Sequence, residues 1–417
     1  MIHKNKEPIV ITGCGVLSPW GVGHDPFWSA IVEGKCGINK IKSFPVDDDF
    51  YLCKIAAEVP EFDPSPWIFI EDPSFKLRYT QLAITALGMA LEDSNLVKEK
   101  ELLNESALFT GSAAQSADTM EMLIDQWVKG SLVKLAPDTF SQVDPYFVVS
   151  ALVNNFGLEA GAINATASCA SGAVALMLCV EEIRRGRLKT GIVLGADPIT
   201  PITFMLEGLT GELSRRNDDP TSASRPFDQG QDGYVFGEGA VALVIETASR
   251  AQERGAKIYG ELGPFSSTTD ATSFSYIDIE GKEIARGMEM VLSRVPSRDI
   301  GYVNAHAPGI AALDRAESNA IKRAFVDMEK TIPVTSIKGA IGNPSAAGGL
   351  LQLVSALLSI SEGVIPPTIN LYEPLPDCDL DYVTGSSRKK MIDTVLVSTH
   401  GGGGVNVAFT MHNYKRR

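Results

Sequence analysis

Histidine is scarce in this chain: five copies in 417 residues, at positions 3, 24, 306, 400 and 412. Any base must therefore come from very few positions. The six cysteines (14, 36, 53, 169, 179 and 378) show no CxxC pair and no zinc-ligand spacing. In a chain this long they read as reduced thiols of a cytosolic protein, and neither a metal site nor a cofactor is expected. Positive charge is in short supply, with 37 Lys and Arg against 51 Asp and Glu and a net charge of −14. That balance argues against nucleic acid and anionic membrane surfaces as partners. No apolar run looks long enough to cross a bilayer, and the polar start Met1-Ile-His-Lys-Asn-Lys-Glu7 does not read as a signal peptide. A Pro/Ser-rich linker and a charge block are missing too. One large unit of two fused halves therefore fits better than the three domains that length alone suggests.

The segment Asn164-Ala-Thr-Ala-Ser-Cys169-Ala-Ser-Gly172 surrounds a thiol with small residues, and helix formers follow from Ala173 to Arg185. This reads as a tight turn that delivers Cys169 to the start of a helix, where backbone N–H groups and the helix dipole favour thiolate over thiol. A nucleophile for acyl transfer is the first reading; a buried structural cysteine is the alternative. Two interior histidines qualify as partners. His306 follows the short apolar stretch Gly301-Tyr-Val-Asn-Ala, and His400 sits between Val395-Leu-Val-Ser-Thr and four successive glycines. Such glycines let the backbone approach a neighbour closely and leave N–H groups unshielded.

Taken with these residues, the chain resembles the β-ketoacyl-acyl carrier protein synthases, in particular the type II elongating group of the thiolase superfamily. The resemblance runs from Ile11-Thr-Gly-Cys-Gly-Val16, in the first strand that opens at Ile9, to Asn406. It rests on Ser224-Arg-Pro-Phe-Asp228, Asp232-Gly-Tyr-Val-Phe-Gly-Glu-Gly239, Ser336-Ile-Lys338 with Ala346-Ala-Gly-Gly349, and Pro366-Pro-Thr-Ile-Asn370 with Cys378-Asp-Leu-Asp-Tyr382. It implies Cys169 as nucleophile and His306 as the first of two catalytic histidines. Asp314 and Glu317 keep the family's spacing after His306, and Lys338 and Glu317 are implied to steady the histidines through charge-assisted hydrogen bonds. An ordinary ion pair is the plain alternative for those two.

Four positions depart from the family pattern. Asn343 stands where the second histidine is expected, seven residues after Ser336. Ala307-Pro-Gly-Ile310 replaces a Gly-Thr-Gly-Thr run that grips the pantetheine arm. His400 matches a phenylalanine gate beside the cysteine, and Ala114 matches a bulky aliphatic at the acyl-pocket floor. The chemistry implied is a decarboxylative Claisen condensation, in which donors aimed at the developing enolate are worth about 3–4 kcal/mol each. An Asn amide carries two N–H donors, so Asn343 replaces a donor without replacing an acid or base. His400 either restores part of the missing imidazole or only reshapes the acyl entrance. The backbone N–H groups of Cys169 and His400 are implied as the oxyanion hole.

The implied substrates are acyl and malonyl thioesters on an acyl carrier protein, which is itself acidic. Docking it needs a local basic patch, for which Lys76, Arg78, the run Arg184 to Lys189, Arg215 and Arg216 are candidates. A homodimer is expected, with a heterodimer as the alternative. Apolar patterning gives alternating strands and helices: strands at 9–12, 192–194, 240–245, 258–262, 301–305, 334–336, 395–398 and 405–411, with helices at 283–292, 314–325 and 347–360. Asp25-Pro26 reads as the cap and first residue of a helix that runs through Ile31. The fold class is α/β. The resemblance supplies its thiolase-like form, a duplicated five-layered α-β-α-β-α core with halves at 1–254 and 255–417 and an insertion at about 112–160. Three functional readings follow: a condensing enzyme for a specialised fatty or polyene-type chain, a chain-length-setting partner of a heterodimer, and a non-condensing acyltransferase or hydrolase.

Overall fold

The computed structural model describes residues 7–46, 50–130, 143–273, 277–328 and 330–415. Among the described residues the main sheet has twelve strands, ten of which form its two runs: β1 (Ile9–Ser18), β2 (Ala107–Gly111), β3 (Ala162–Ala165), β4 (Thr190–Asp197), β5 (Gly239–Thr247), β6 (Gly260–Thr269), β7 (Tyr302–Asn304), β8 (Pro333–Thr335), β9 (Thr394–Gly401) and β10 (Val405–His412). Their order is β3-β2-β4-β5-β1 followed by β6-β10-β9-β7-β8, with Asp381–Tyr382 as a short edge strand beyond β8. Each run of five places its third, second, fourth, fifth and first strands side by side. In each, the second strand pairs parallel with the third and fourth. The fourth and fifth, then the fifth and first, pair antiparallel. The two runs join through a three-residue antiparallel contact, Ile9–Ile11 with Leu262–Gly260. This duplication lives in the hydrogen-bond topology rather than in repeated residues.

The central strands are apolar on both faces because both faces are covered. Along β4 and β5, Val193, Val241, Leu243 and Ile245 point one way into a core shared with the second half, while Ile192, Leu194 and Val244 point the other way. Helix α1 (Arg78–Asp93) packs on the outer face of the first run. Helices α2 (Ser171–Arg184) and α5 (Gly348–Glu362) fill the space between the runs, and α3 (Lys282–Leu292) and α4 (Ala311–Ala324) cover the far side. Helix, sheet, helix, sheet and helix make five layers.

Several boundaries differ from the sequence reading, and one exclusion needs correction. The 18 residues Ser345–Glu362 are long and apolar enough to cross a membrane by length and composition. They are 83 % buried between the two halves of the sheet, which is why they are apolar all round. The helix around Pro26 spans His24–Val32 with Gly23 at its cap, so Asp25 lies inside the first turn rather than capping it. Of the expected insertion at 112–160, residues 131–142 lie outside the described residues; the remainder holds two helices, Ala117–Val128 and Pro145–Phe156.

Candidate active site

Cys169 stands just before α2, which begins at Ser171 with Ala170 as its cap. The turn that carries it is forced: Ser168 adopts a left-handed φ of 51°. Ser171 holds the turn closed, since its hydroxyl donates to the Ser168 carbonyl at 2.6 Å and accepts from the Ala167 N–H at 2.8 Å. Small neighbours are a steric requirement here. A Cβ on Gly111, at the end of β2, would come within 2.5 Å of the Gly172 nitrogen. Gly111→Ala is therefore expected to lower stability by about 1–3 kcal/mol, because the clash is with backbone that cannot rotate away. An unchanged denaturant midpoint would show that the turn is not packed against β2.

The sulfur is half-buried, while its neighbours are buried. Asn343 directs its side-chain N–H at the Cys169 sulfur, 3.4 Å away. Its carbonyl oxygen accepts from Lys338 Nζ at 2.8 Å, which fixes the amide orientation. The backbone of Asn343 is pinned as well, with its N–H on the Val235 carbonyl and its own carbonyl accepting from Gly237 N–H. This explains why the 232–239 segment matters to a site that none of its side chains enters through those bonds. Lys338 Nζ also lies 2.9 Å from His306 Nδ1 and 3.2 Å from Nε2. Cys169 thus meets Asn343 directly and His306 by way of Lys338.

Electrostatics sort these groups. Burial, then the Lys338 and His400 charges, hold His306 well below the usual imidazole range, so the ring is neutral. A neutral ring accepts from Lys338 on one nitrogen and keeps an N–H on the other. Lys338 is fully buried, and desolvation brings its ammonium down to about 8, against partial support from the Cys169, Glu317 and Asp314 charges. Burial pushes Glu317 up, but His400 and the N–H groups of His306 and Ala307, at 2.9 and 2.8 Å, more than offset this and keep it ionised. Asp314 accepts from Phe227 N–H at 2.8 Å and from Gly309 N–H at 3.3 Å, and so ties the Arg225-Pro-Phe-Asp228 stretch to the loop after His306.

His400 does not occupy the place expected of it. It lies in β9 opposite Asn406 rather than in the glycine loop. Its hydrogen bonds run to Glu317 Oε1 (3.2 Å), Ser398 Oγ (3.1 Å) and Asn406 Oδ1 (2.9 Å), and none joins it to Cys169 among the described residues. The part of β9 that meets the nucleophile turn is Gly401, where a Cβ would sit 3.2 Å from the Ala170 nitrogen. The His400 ring instead packs edge-on to His306, with centroids 5.4 Å apart. Glycine backbone, not the His400 side chain, therefore meets the nucleophile turn, and the imidazole stands against His306.

Three contributors were missed from sequence. Asp197, buried at the end of β4, accepts from Ser112 Oγ and the N–H groups of Ala113, Ala114 and Ala346. It thereby holds the loop bearing Ala114 against the start of the segment that leads into α5. Thr399 places its hydroxyl 3.3 Å from His306 Nδ1. Gln352 donates to the carbonyls of Asn304, Ala305 and Ser398, fixing the end of β7 against the middle of β9. A lone amide within the apolar stretch Leu350-Leu-Gln352-Leu-Val354 was the available signal for the last. Among the candidate basic residues, Arg78 is committed to Glu238 and the Val59 carbonyl, and Arg184 to the Gly263 carbonyl. Arg216 holds the Gly230 carbonyl, whereas Lys76, Arg185, Lys189 and Arg215 are exposed.

Residues 6–251 match the beta-ketoacyl synthase N-terminal domain, and residues 259–372 match the C-terminal domain of the same family. The chain is 35 % identical to the tetracenomycin polyketide synthase ketoacyl synthase alpha subunit of Streptomyces glaucescens, covering 98 % of this chain and 97 % of that one. It is 32 % identical to 3-oxoacyl-[acyl-carrier-protein] synthase 2 of Synechocystis sp., with both chains covered completely. Among solved structures, the ishigamide ketosynthase/chain length factor superposes with a TM-score of 0.90 at 27 % identity, covering 99 % of this chain and 100 % of that one. A type II polyketide acyl-carrier protein in complex with its ketosynthase gives 0.89 at 27 % identity, covering 98 % and 100 %.

Proposed function

We propose, for a chain that belongs to the beta-ketoacyl synthase family, that Cys169 accepts an acyl group from a carrier protein and that the loaded acyl chain is then extended by condensation with a malonyl carrier. In the first half-reaction the Cys169 thiolate attacks the thioester carbonyl, the carrier thiolate leaves, and an acyl–Cys169 thioester remains. The transient oxyanion is held by backbone N–H groups of Cys169 and of the 400–404 segment. In the second half-reaction the malonyl carrier loses carbon dioxide, and the bonding pair passes to an enolate. The enolate carbon forms a bond to the acyl carbonyl, the C–S bond breaks, and Cys169 returns as thiolate beside a 3-oxoacyl carrier.

The observation that carries this reading is the Asn343–Cys169 contact, with Lys338 bridging Asn343 to His306. It supports a role for two neutral N–H donors, one from a carboxamide and one from an imidazole, in holding the enolate oxygen. A Cys-His-Asn set needs no base at position 343, because loss of carbon dioxide generates the carbanion without proton abstraction. Asn343→Ala is expected to leave Cys169 loading intact and to slow condensation by about a hundredfold. Single-turnover assays of loading and extension separate the two steps, and equal slowing of both would remove Asn343 from the oxyanion role.

An intact Cys169 with its amide and imidazole partners favours the condensing role over a chain-length-setting one. The relatives include both polyketide and fatty-acid-type synthases, and the small Ala114 supports a specialised acyl chain. An acidic carrier protein as partner is supported by the solved complex above and by exposed Lys76 and Arg215. A dimer through β3 is part of the same reading. Among the described residues that strand ends the sheet with Ile163 exposed, and Trp127 and Val128 are exposed in the same half of the chain. Whether the second copy is identical or a chain-length factor is decided by the mass of the purified assembly. Six unpaired cysteines support a cytosolic setting.

A further inference from the structure

We propose that Glu207, held by Tyr234, and Gln115 are hydrogen-bonding points that select a hydroxyl-bearing acyl chain for loading on Cys169. The proposal rests on the reading above and adds to it the chemical class of the chain.

Tyr234 belongs to the segment that pins Asn343. Its neighbour Val235 offers the carbonyl that takes the Asn343 N–H, and Gly237 donates to the Asn343 carbonyl. The other edge of the segment is fixed too, with the Tyr234 N–H on the Glu212 carbonyl and the Tyr234 carbonyl accepting from Ser214 N–H. The ring is buried, and its hydroxyl donates to Glu207 Oε2. Burial, then the Glu207 and Cys169 charges, keep this phenol protonated, which places it within electrostatic reach of the sulfur.

Glu207 lies in the helix Pro201–Leu209, whose buried residues are Thr203 and Phe204. One turn on from those two, it shares their inward face, whereas Leu206 and Leu209 are exposed. The charges that act on it, Glu212 and Asp197, share its own sign. Among the described residues its carboxyl takes a single hydrogen bond, from Tyr234, so Oε1 is left for a ligand. A hydroxyl suits that oxygen in either state: it donates to a carboxylate and accepts from a carboxylic acid.

Gln115 is an independent sign of the same chemistry. It is 5 % exposed, and neither its amide oxygen nor its amide nitrogen has a hydrogen-bond partner among the described residues. Buried amides are almost always paired, so both ends of this one point to a partner that the chain itself does not supply. The loop that carries it leaves β2 beside the nucleophile turn, where a Cβ on Gly111 would lie 2.4 Å from the Ser171 carbonyl carbon. Asp197 clamps that loop to Ala346, and the helix that follows it, Ala117–Val128, packs against Pro201–Leu209. Gln115 and Glu207 therefore stand on neighbouring elements that approach the Cys169 turn from two sides. Hydroxyl groups on a loaded chain satisfy both; a saturated chain leaves both unpaired and takes away their water.

Intact-protein mass spectrometry of the purified assembly compares Cys169 loading from octanoyl-pantetheine with loading from its 3-, 5- and 7-hydroxy analogues. At least one hydroxy analogue should load with a kcat/KM about tenfold above octanoyl. Glu207→Leu and Gln115→Leu combined should bring that ratio to about one, with each single change lowering it. Tyr234→Phe, which keeps the ring but releases Glu207, should lower it by about threefold. Gln115→Leu should also raise the urea midpoint, because it removes an unpaired buried amide. Equal loading of all the probes by the unaltered protein, a preference that survives in the combined variant, or a lowered midpoint in Gln115→Leu would each overturn the proposal while leaving the condensing role standing. Absence of acyl mass on Cys169 from every probe would overturn the functional reading with it.

Discussion

Replacing Cys169 by alanine is expected to abolish acyl uptake altogether, a loss of at least about 10⁴-fold in the rate at which the protein gains acyl mass. The size of the effect comes from the absence of a substitute nucleophile. Cys14 and Cys179 are fully buried, and burial pushes both thiols far up. Cys36 and Cys53 are raised to about 11, also by burial, and Cys378 is raised for the same reason. A thiol that rarely ionises does not attack a thioester at neutral pH. Cys169 is half-buried and lies against the Asn343 amide, a contact none of the others makes. Intact-protein mass spectrometry after incubation with an acyl carrier gives the answer. A full acyl increment on the alanine variant would place the nucleophile elsewhere.

Lys338→Met should be the most damaging change that leaves the sulfur untouched. The ammonium holds both Asn343 Oδ1 and the His306 ring, so its removal frees both enolate donors together. Loss of one such donor is worth about 10²-fold, and condensation in this variant is expected to fall by about 10³-fold or more. Stability should move little at neutral pH. Lowering Lys338 from 10.5 to about 8 means that its buried charge costs roughly 3 kcal/mol. Its removal relieves that cost but leaves two buried acceptors unpaired, at about 1–3 kcal/mol each.

The pH dependence gives a separate signature of the same residue. Because the folded-state value is depressed, the unfolded chain binds the extra proton between about pH 8 and pH 10.5. Folding stability contributed by this group therefore rises with pH across that window and is flat below it. Condensation by preloaded enzyme should do the opposite, falling as pH climbs through about 8 and Lys338 loses its proton. In Lys338→Met the rise in stability should vanish, and the residual rate should lose this limb. A limb that persists unchanged would assign it to a different group.

Much of the architecture was readable from apolar patterning, because strands covered on both faces are continuous apolar runs and the helices carry clear stripes. Tyr302–Asn304 and Lys282–Leu292 fall close to where pattern placed them. The duplication was not readable, since it resides in which strands pair, and strand order leaves no mark on local composition. At the site, Cys169 and His306 stood out because small residues and a strand-to-turn break frame them. Asp197 and Gln352 did not stand out. Each acts on backbone groups 40 to 150 positions away, and only the folded chain brings them there. His400 was noticed for the right residue type but assigned the wrong surroundings. Its position in β9, opposite Asn406, turns the ring toward Glu317.

The most direct test of the whole account is a two-step experiment on the purified assembly, followed by mass spectrometry of protein and carrier. Acyl carrier should first add one acyl mass to the peptide containing Cys169. Malonyl carrier should then discharge it, yielding a 3-oxoacyl carrier two carbons longer and one equivalent of carbon dioxide. Loading that ends in hydrolysis, or a Cys169 peptide that never gains mass while the protein is folded, would contradict it.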